Sequence, residues 1–353
     1  MRFAPPNPLR IADRASGLNA PSVRSYNERL VLSLLLQSEG TTRLEIGQKT
    51  GLSAQTVSVI VRSLEQESLV AKGEAQRGRM GPPTIPMILN PEGAFSVGVS
   101  FGTSGADVVV IDFVGSVRFH KAHRYEDLRG EDETPMRAAI EEAIRSVDPA
   151  VRGRIAGVGL AVPDEALVGP GIRKALGDDL ADAQADLESA LGLPVFMQND
   201  VTAAAGGESL FGVTRHIPDF AFFYLGSRLH RRLVLNHQIH SGVAADVEGG
   251  LLELSDALSR SNGSSPADRD GIEKTWRDRC RSRIVDQVSV LLNFVSVPSL
   301  VLSTYAPPLT TSPLILELAE ALPGIAVLAG KNAAAPKAWG AASLPYHSRF
   351  MVQ

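Results

Sequence analysis

The sequence predicts an α/β protein that carries a smaller helical domain at its N-terminal end. From residue 95 onward, apolar segments of strand length alternate with amphipathic helical segments. The first ninety residues instead show helical periodicity and an opposite balance of charge. The chain has 353 residues, more than one compact core usually holds, so we expect two or three domains.

Composition is typical of a globular protein, with 44% hydrophobic and 21% charged residues. No apolar run approaches the length of about 18 residues that a membrane span needs. The first residues, MRFAPPNPLR, lack the apolar core of a secretory signal. The single cysteine, Cys280, excludes an internal disulfide framework and a multi-cysteine metal site. We therefore expect a cytoplasmic protein without a membrane partner.

Charge is unevenly distributed along the chain. Residues 1–90 hold 11 Lys and Arg against 7 Asp and Glu, whereas the remainder holds 24 against 32. A basic N-terminal region on an acidic body indicates that a polyanionic partner would meet the N-terminal region. Charge alone leaves open the alternative of a solvated basic segment without a partner.

The N-terminal region predicts a helix-turn-helix. An irregular extension, residues 1–23, is followed by an amphipathic helix that stops at Gly40. A short helix from Thr42 closes at Gly51, and a third helix begins after the N-cap Ser53. A helical hairpin that packs without reading DNA is the alternative.

The third helix is the expected DNA reader, because its first turn carries short polar side chains that allow close approach to the major groove. Gln55 can pair with an adenine edge, and Thr56 or Ser58 can hold phosphate. The segment LVAKGEAQRGRM after it predicts a β-wing. The predicted DNA-binding residues are Thr42, Ser53, Gln55, Thr56, Ser58, Arg62, Lys72, Arg77 and Arg79.

The stretch RGRMGPP supports two interpretations. Its arginines can enter a narrow minor groove, where the potential is most negative. Its prolines equally indicate a stiff linker. We place the winged helix-turn-helix domain at residues 24–76, a linker at 77–92 and the body at 93–353.

The body predicts mixed strands and helices. FSVGVSFGTSGADVVVIDFVGSV predicts paired strands that close in a second hairpin around Gly115, and RIAGVGLAVP predicts a buried strand. VTAAAGGESLFG predicts a helix whose small residues allow close approach of another backbone. FAFFYLG and RRLVLNHQIHSG predict a pair of strands.

Several short sequence motifs follow one another along the chain: GPPTIPMILNPEGAFSVGVSFG, GVGLAVP, GLPVFMQND with VTAAAGGES behind it, LGSRLHRRLVLNHQIHSG, NFVSVPSLVLST and AWGAASL. In this order they resemble the ROK family of repressors, open reading frames and kinases. The resemblance implies an actin-like, ribonuclease-H-like ATPase fold in two lobes, at about 93–200 plus the C-terminal end and at 201–300. The family's kinases phosphorylate sugars with ATP. Its longer members carry a winged helix-turn-helix and regulate the transcription of sugar metabolism.

The resemblance places the kinase base at Asp200 and a sugar-binding residue at Asn199, although the pair alone could be the N-cap of the following helix. The phosphate machinery departs from the family at three turns: Ser100 replaces a metal-binding acid, Arg228 to Arg232 replace a glycine-rich turn, and VLST replaces VLGG. A hydroxyl is a poor Mg²⁺ anchor, and large side chains fill the space of the phosphates. We therefore expect no kinase activity and no cofactor, with Asp200 as a remnant of the base.

The sugar pocket implied by the resemblance is partly kept. Glu248 or Asp246 can stand for the family's sugar-binding glutamate, and Asp164 replaces the glycine of a Pro-Gly turn. The predicted ligand-binding residues are Asn199, Asp200, Asp164, Glu208, Asp246 and Glu248. No cysteine or histidine occurs between His240 and residue 265, so the family's structural zinc cannot be built there and we expect no metal.

A basic stretch occupies the expected phosphate turn. The candidate anion site consists of Arg228, His230, Arg231 and Arg232. It could hold an anionic ligand or an acidic segment of the same protein, and solvated surface is the alternative. His230, His237 and His240 fit hydrogen-bonded or exposed histidines better than metal ligands. His237 is expected in a hairpin turn with left-handed backbone.

Together the two parts predict a DNA-binding transcriptional regulator, a repressor of carbohydrate genes whose body senses a sugar or sugar derivative. Binding to paired half-sites on a double-stranded operator implies a homodimer or higher homo-oligomer. Two alternatives remain: an ATP-dependent sugar kinase with a regulatory DNA-binding head, and a regulator whose body only dimerises.

Overall fold

The computed structural model describes most of the chain. The described residues are 20–38, 40–75, 84–127, 135–163, 169–177, 179–240, 249–261 and 265–352. The predicted site residues that lie outside them are Arg77, Arg79, Asp164, Asp246 and Glu248.

The N-terminal domain contains three helices and a two-stranded sheet. These are α1 (Ala20–Leu36), α2 (Arg43–Thr50), α3 (Ala54–Gln66), β1 (Val70–Lys72) and β2 (Met87–Leu89). Thr42 caps α2 through a capping box with Glu45, and Gly51 ends the helix in left-handed backbone at φ 73°. Ser53 caps α3 as predicted, since its side chain accepts from the Thr56 N–H. Local signals therefore set both helices and the turn between them.

The described structure differs from the predicted segments at two places in this domain. Helix α1 begins at Ala20, inside the extension 1–23 that was expected to be irregular. Strand β2 lies inside the segment 77–92 expected to be a linker, where it pairs antiparallel with β1. Met87 and Leu89 of β2 are both buried. The alternation of buried side chains in this segment therefore favours a strand over a linker, and the strand completes the wing.

The first sheet of the body has five strands in the order β5-β4-β3-β6-β7. They are β3 (Phe95–Phe101), β4 (Gly105–Asp112), β5 (Val117–Arg124), β6 (Ile155–Val162) and β7 (Val195–Asn199). Strands β3 to β5 form the predicted antiparallel hairpins, and Gly115 lies in the second turn. One face of the sheet is covered by α4 (Pro135–Ser146), α5 (Pro170–Leu176) and α6 (Leu180–Leu191).

The second sheet has five strands in the order β10-β9-β8-β11-β12. They are β8 (Phe220–Leu225), β9 (Leu229–Leu235), β10 (Gln238–His240), β11 (Ser299–Thr304) and β12 (Ala326–Ala329). Its outer face packs on α8 (Leu251–Arg260), α9 (Pro266–Leu292) and α10 (Pro308–Ala321). The buried Cys280 lies in α9, and burial raises the pKa of its thiol to about 12.

Two helices made of small residues lie between the sheets. They are α7 (Asp200–Phe211) and α11 (Pro336–Ala341). Ala204 of α7 packs on the second sheet, whereas Ala203 meets Ala161 of the first. A Cβ atom on Gly340 of α11 would lie 2.2 Å from the Ala203 carbonyl oxygen. The close backbone approach predicted from VTAAAGGESLFG is therefore confirmed.

The N-terminal domain, called the head from here on, shares one continuous hydrophobic core with the body. Helix α12 (Leu344–Phe350) follows α11 and packs against α1. Phe113, Trp339 and Phe350 belong to the same buried cluster as Val31 and Leu35 of the head. At the C-terminal end, the Val352 N–H donates to Ser33 Oγ of α1 at 3.1 Å. The C-terminal helices therefore contact the head directly.

The body's expected division into lobes differs at its last boundary. The C-terminal helices lie on the first sheet, since the Ala338 carbonyl of α11 lies against Gly98 of β3. The second sheet, however, continues past residue 300, because β12 forms its edge. Among the helices of the described ranges, none has both the length and the apolar character that a membrane crossing needs.

Candidate nucleic-acid interface and ligand cleft

Helix α3 presents an exposed polar face opposite its buried one. Val57, Ile60, Val61 and Leu64 point into the core, as the sequence predicts. Gln55, Ser58 and Arg62 lie on the exposed side, at spacings of three and four residues. Lys72 is exposed at the end of β1 in the wing. The structure thus places these four predicted DNA-binding residues on accessible surface.

The other predicted DNA-binding residues in the described ranges have capping roles. The Ser53 and Thr56 hydroxyls hydrogen-bond to each other at 2.8 Å, and Ser53 Oγ also accepts from the Thr56 N–H at 3.1 Å. The Thr42 hydroxyl donates to the Glu45 carboxylate at 2.8 Å. The Thr42 N–H donates to the same carboxylate at 2.8 Å. These bonds, the one from the N–H first and the one from the hydroxyl second, lower the pKa of the Glu45 carboxyl. These three hydroxyls are thus engaged in caps, whereas Gln55, Ser58 and Arg62 are exposed.

A cleft of about 550 Å³ opens between the two sheets of the body. It is bounded by the turn between β3 and β4, by the start of α7, by the turn after β8 and by the start of α11. Ser100, Thr103, Asp200, Ser227 and Lys337 are among its polar lining residues. Ser100, Ser227 and His230 thus line one cavity together with Asp200.

Asp200 forms an ion pair with Lys337 across the cleft wall. The Asp200 side chain is 5% exposed, and its second oxygen accepts from the Val201 N–H at 2.7 Å. The Lys337 ammonium also lies over the Tyr224 ring, 4.6 Å from the ring centre. Burial raises the pKa of the Tyr224 hydroxyl well above its ordinary value, so the ring is a neutral phenol. Sequence reasoning missed Lys337, which stands just before AWGAASL without any motif of its own.

Asn199 is both a helix cap and a partner of Arg232. Its Oδ1 accepts from the N–H groups of Val201 and Thr202, each at 3.1 Å. The Arg232 guanidinium donates to the same oxygen at 2.5 Å and to Thr202 Oγ1 at 2.8 Å. The N-cap alternative for this pair of residues is confirmed, and the Asn199 oxygen is already used within the protein.

Glu208 does not line the cleft, which corrects its assignment as a ligand-binding residue. It is 1% exposed at the far end of α7 from Asp200. Its carboxylate accepts from the N–H groups of Lys331 at 2.7 Å and Val213 at 3.0 Å. Burial raises the pKa of this carboxyl. Glu208 therefore ties the loop after β12 to the end of α7.

The structure separates the candidate anion site. Only Arg228 lies in the turn, because β9 begins at Leu229, opposite Leu225. Neighbouring strand residues point to opposite faces. Arg231 accordingly reaches Gln287 of α9 at 2.8 Å, whereas Arg232 reaches Asn199 and His230 lines the cleft. The stretch therefore does not bring its cations to one point.

The hairpin after β9 has the left-handed backbone expected of it. Asn236 and His237 have φ values of 51° and 62°. His237 Nδ1 lies 3.2 Å from Ser209 Oγ, and burial lowers the pKa of its imidazole. In the residues that the structure covers, His, Cys, Asp and Glu side chains form no group of three that could hold a metal ion.

The turn after β8 is closed by internal hydrogen bonds. The Gly226 N–H donates to the Arg228 carbonyl at 3.0 Å. The first N–H groups of α8, from Leu251 and Leu252, donate to the carbonyls of Gly226 at 2.8 Å and Ser227 at 3.2 Å. In β11, the Thr304 hydroxyl donates to the Leu225 carbonyl at 2.7 Å. The carbonyls of Leu225, Gly226, Ser227 and Arg228 thus all accept hydrogen bonds from within the protein.

Two stretches of the chain match known families. Residues 24–71 match the winged helix-turn-helix DNA-binding family. Residues 96–254 match the ROK family.

Similar sequences include known repressors. The xylose repressor of Bacillus subtilis is 24% identical over 230 residues, which cover 63% of this chain and 58% of the repressor. A protein of Sinorhizobium fredii designated y4fQ is 28% identical over 209 residues, 56% of this chain and 52% of that protein. The matched part thus spans little more than half the length of either relative.

Similar structures include a regulator and a kinase. A ROK family transcriptional regulator, a homologue of the E. coli MLC protein, superposes with a TM-score of 0.65 at 15% identity, covering 93% of this chain and 98% of that one. A ROK family glucokinase from Streptomyces griseus, in complex with glucose and AMPPNP, gives 0.51 at 20% identity, covering 71% and 99%. The expected actin-like body behind a winged helix-turn-helix is confirmed as the fold. Residues 96–254 of the chain thus match the ROK family, behind a stretch at residues 24–71 that matches the winged helix-turn-helix DNA-binding family.

Proposed function

We propose that this protein is a sequence-specific DNA-binding transcriptional regulator, a repressor of carbohydrate metabolism or transport genes. The observation that carries the proposal is the exposed polar face of α3, with Gln55, Ser58 and Arg62, in a winged helix-turn-helix fused to a ROK body. Its similarity to xylose repressors supports the same role. A role on DNA also supports the expected cytoplasmic location and a homodimer on paired half-sites.

The cleft between the sheets is the proposed effector site, and a sugar or sugar derivative is the proposed effector. Its volume of about 550 Å³ accommodates a sugar. Asp200 and the neighbouring serine and threonine hydroxyls offer the acceptors and donors that sugar hydroxyls need. The structural likeness to a glucokinase solved with glucose supports this class of ligand.

The body is proposed to bind without catalysing phosphoryl transfer. Asp200, at the expected position of the kinase base, is paired with the Lys337 ammonium. Ser100 stands where Mg²⁺ needs an acid, and in the turn after β8 the Gly226 N–H donates to the Arg228 carbonyl rather than being left for phosphate. Retention of Asp200 in the cleft and the likeness to kinases favour a sugar kinase as the second candidate. An ADP-release assay over a sugar panel decides between them, since turnover abolished by Asp200→Ala supports the kinase.

Effector binding is proposed to reach the DNA through the C-terminal helices. Lys337 begins α11 at the cleft, and α11 leads into α12. Helix α12 and the residues after it contact α1 of the head. A shift of α11 in the cleft would therefore change the position of the head relative to the body. In a dimer it would also change the distance between the two heads.

Two substitutions in the head are expected to separate recognition of DNA bases from sequence-independent contact with the DNA backbone. Gln55→Ala should relax base preference at one position of each half-site, by about 1–3 kcal/mol of discrimination. Lys72→Ala should weaken binding to every sequence alike and reduce the salt-dependence slope by about 0.9. Gel shifts at several salt concentrations, on an operator selected from random DNA, measure both.

A matched control comes from the same chain. Lys274→Ala changes an exposed lysine on α9, outside the head. This change should leave operator affinity unchanged. If the full chain shows no salt-sensitive, sequence-selective DNA binding, the proposed function is wrong.

A further inference from the structure

Val59 is an exposed apolar residue on the reading face of α3. Its side chain is 59% exposed, while Val57, Ile60 and Val61 on the same helix are buried. It lies four residues after Gln55 and three before Arg62, so the three side chains form one stripe along the helix. The apolar side chain is thus flanked by the polar groups proposed to contact DNA.

Packing within the chain does not account for a valine at this position. The core of the head is completed by the opposite face of α3, which contributes Val57, Ile60, Val61 and Leu64. A β-branched residue also favours a helix less than alanine, leucine or arginine does. The buried core therefore does not require an apolar group here, on the face of α3 that carries Gln55 and Arg62.

The major groove offers one apolar group to an apolar side chain, the C5 methyl of thymine. We propose that Val59 is a specificity-determining residue that reads a thymine methyl beside the base pair contacted by Gln55. This inference rests on the proposed DNA-binding function. Four residues of helix rise about 6 Å. Base pairs are about 3.4 Å apart along each strand, so the thymine lies one or two base pairs from the adenine that Gln55 contacts.

Replacing thymine by uracil in the operator tests the contact, because uracil keeps the hydrogen-bonding groups and loses only the methyl. An operator is first selected from random DNA with the full chain, and each thymine is then replaced in turn. At one position per half-site the wild-type protein should lose about fourfold in affinity, the effect of burying one methyl-sized group. Val59→Ala should bind the thymine operator more weakly and show no further loss with uracil at that position.

Two comparisons identify the contact as that of Val59. Val59→Ile keeps the branched side chain and should keep the methyl response. Val290→Ala removes another exposed valine, 61% exposed on α9, and should leave every operator response unchanged. Circular dichroism of the Val59 variants should match the wild type, since the side chain makes no part of the core.

The outcomes separate the inference from the function on which it rests. If the wild-type protein selects a sequence but Val59→Ala has the same thymine-to-uracil profile, the reading role of Val59 is overturned and the regulator stands. The same holds if no thymine methyl matters. If no sequence is selected, the proposed DNA-binding function itself is overturned.

Discussion

Replacing Lys337 by methionine is expected to lower the free energy of unfolding by about 3–5 kcal/mol, the cost of leaving a buried charge without its partner. Methionine keeps the length of the side chain and removes the ammonium. The Asp200 carboxylate then stays 5% exposed and keeps the Val201 N–H as a donor, but loses the ammonium. Urea unfolding followed by tryptophan fluorescence measures the loss.

The double variant Asp200→Asn with Lys337→Met shows whether the ion pair is the cause. Removing the charge of both partners should recover most of the loss, giving a strong coupling energy in the double-mutant cycle. Lys121→Met is the matched control, because its ion pair with Glu142 is 47% and 42% exposed. That change should cost about 0–1 kcal/mol. Equal losses at Lys337 and Lys121, or absence of coupling to Asp200, would contradict the account of the cleft.

Replacing Trp339 by alanine is expected to cost about 3–5 kcal/mol of unfolding free energy and also to weaken operator binding. The indole is 2% exposed, and its Nε1 donates to the Gly115 carbonyl at 2.9 Å. It belongs to the cluster that joins α11 and α12 to α1 of the head. Loss of the ring therefore weakens the packing of the head against the C-terminal helices as well as the packing within the body. Urea unfolding and operator titration, at a temperature where the variant remains folded, measure the two effects.

The second tryptophan provides a matched control. Trp276 is also 2% exposed, and its Nε1 donates to the Gly250 carbonyl at 3.0 Å. Its cluster contains the second sheet and the helices on its outer face, without residues of the head. Trp276→Ala should cost a similar amount of stability and leave operator affinity of the folded protein unchanged. A fall in operator affinity for both variants, or for neither, would contradict coupling through the C-terminal helices.

The head could be predicted from sequence because its signals are local. Thr42, Gly51 and Ser53 each act on residues within one helical turn, and the structure uses each as a cap. The second strand of the wing was missed because its partner lies across a proline-rich segment. Val70 pairs with Leu89 in the wing. This pairing depends on burial of the second strand, and no single residue in the segment predicts that burial.

The cleft could be predicted only in part, because it depends on residues far apart in sequence. Asp200 was located through its motif, but Lys337 lies 137 positions away and reaches it only in the folded chain. The basic stretch after β8 was interpreted as one turn, whereas strand alternation sends Arg231 and Arg232 to opposite faces. Glu208 shares a helix with Asp200 but lies at its other end.

The most direct test of the central claim is the affinity of the full chain for its selected operator, measured by fluorescence anisotropy across a panel of sugars, sugar acids and sugar phosphates. Coupling between two sites typically amounts to about 1–3 kcal/mol. The account predicts that at least one compound changes the operator dissociation constant by about 5- to 150-fold and that the operator changes the affinity for that compound by the same factor. An operator affinity that stays constant across the whole panel would contradict a body that senses a sugar or its derivative.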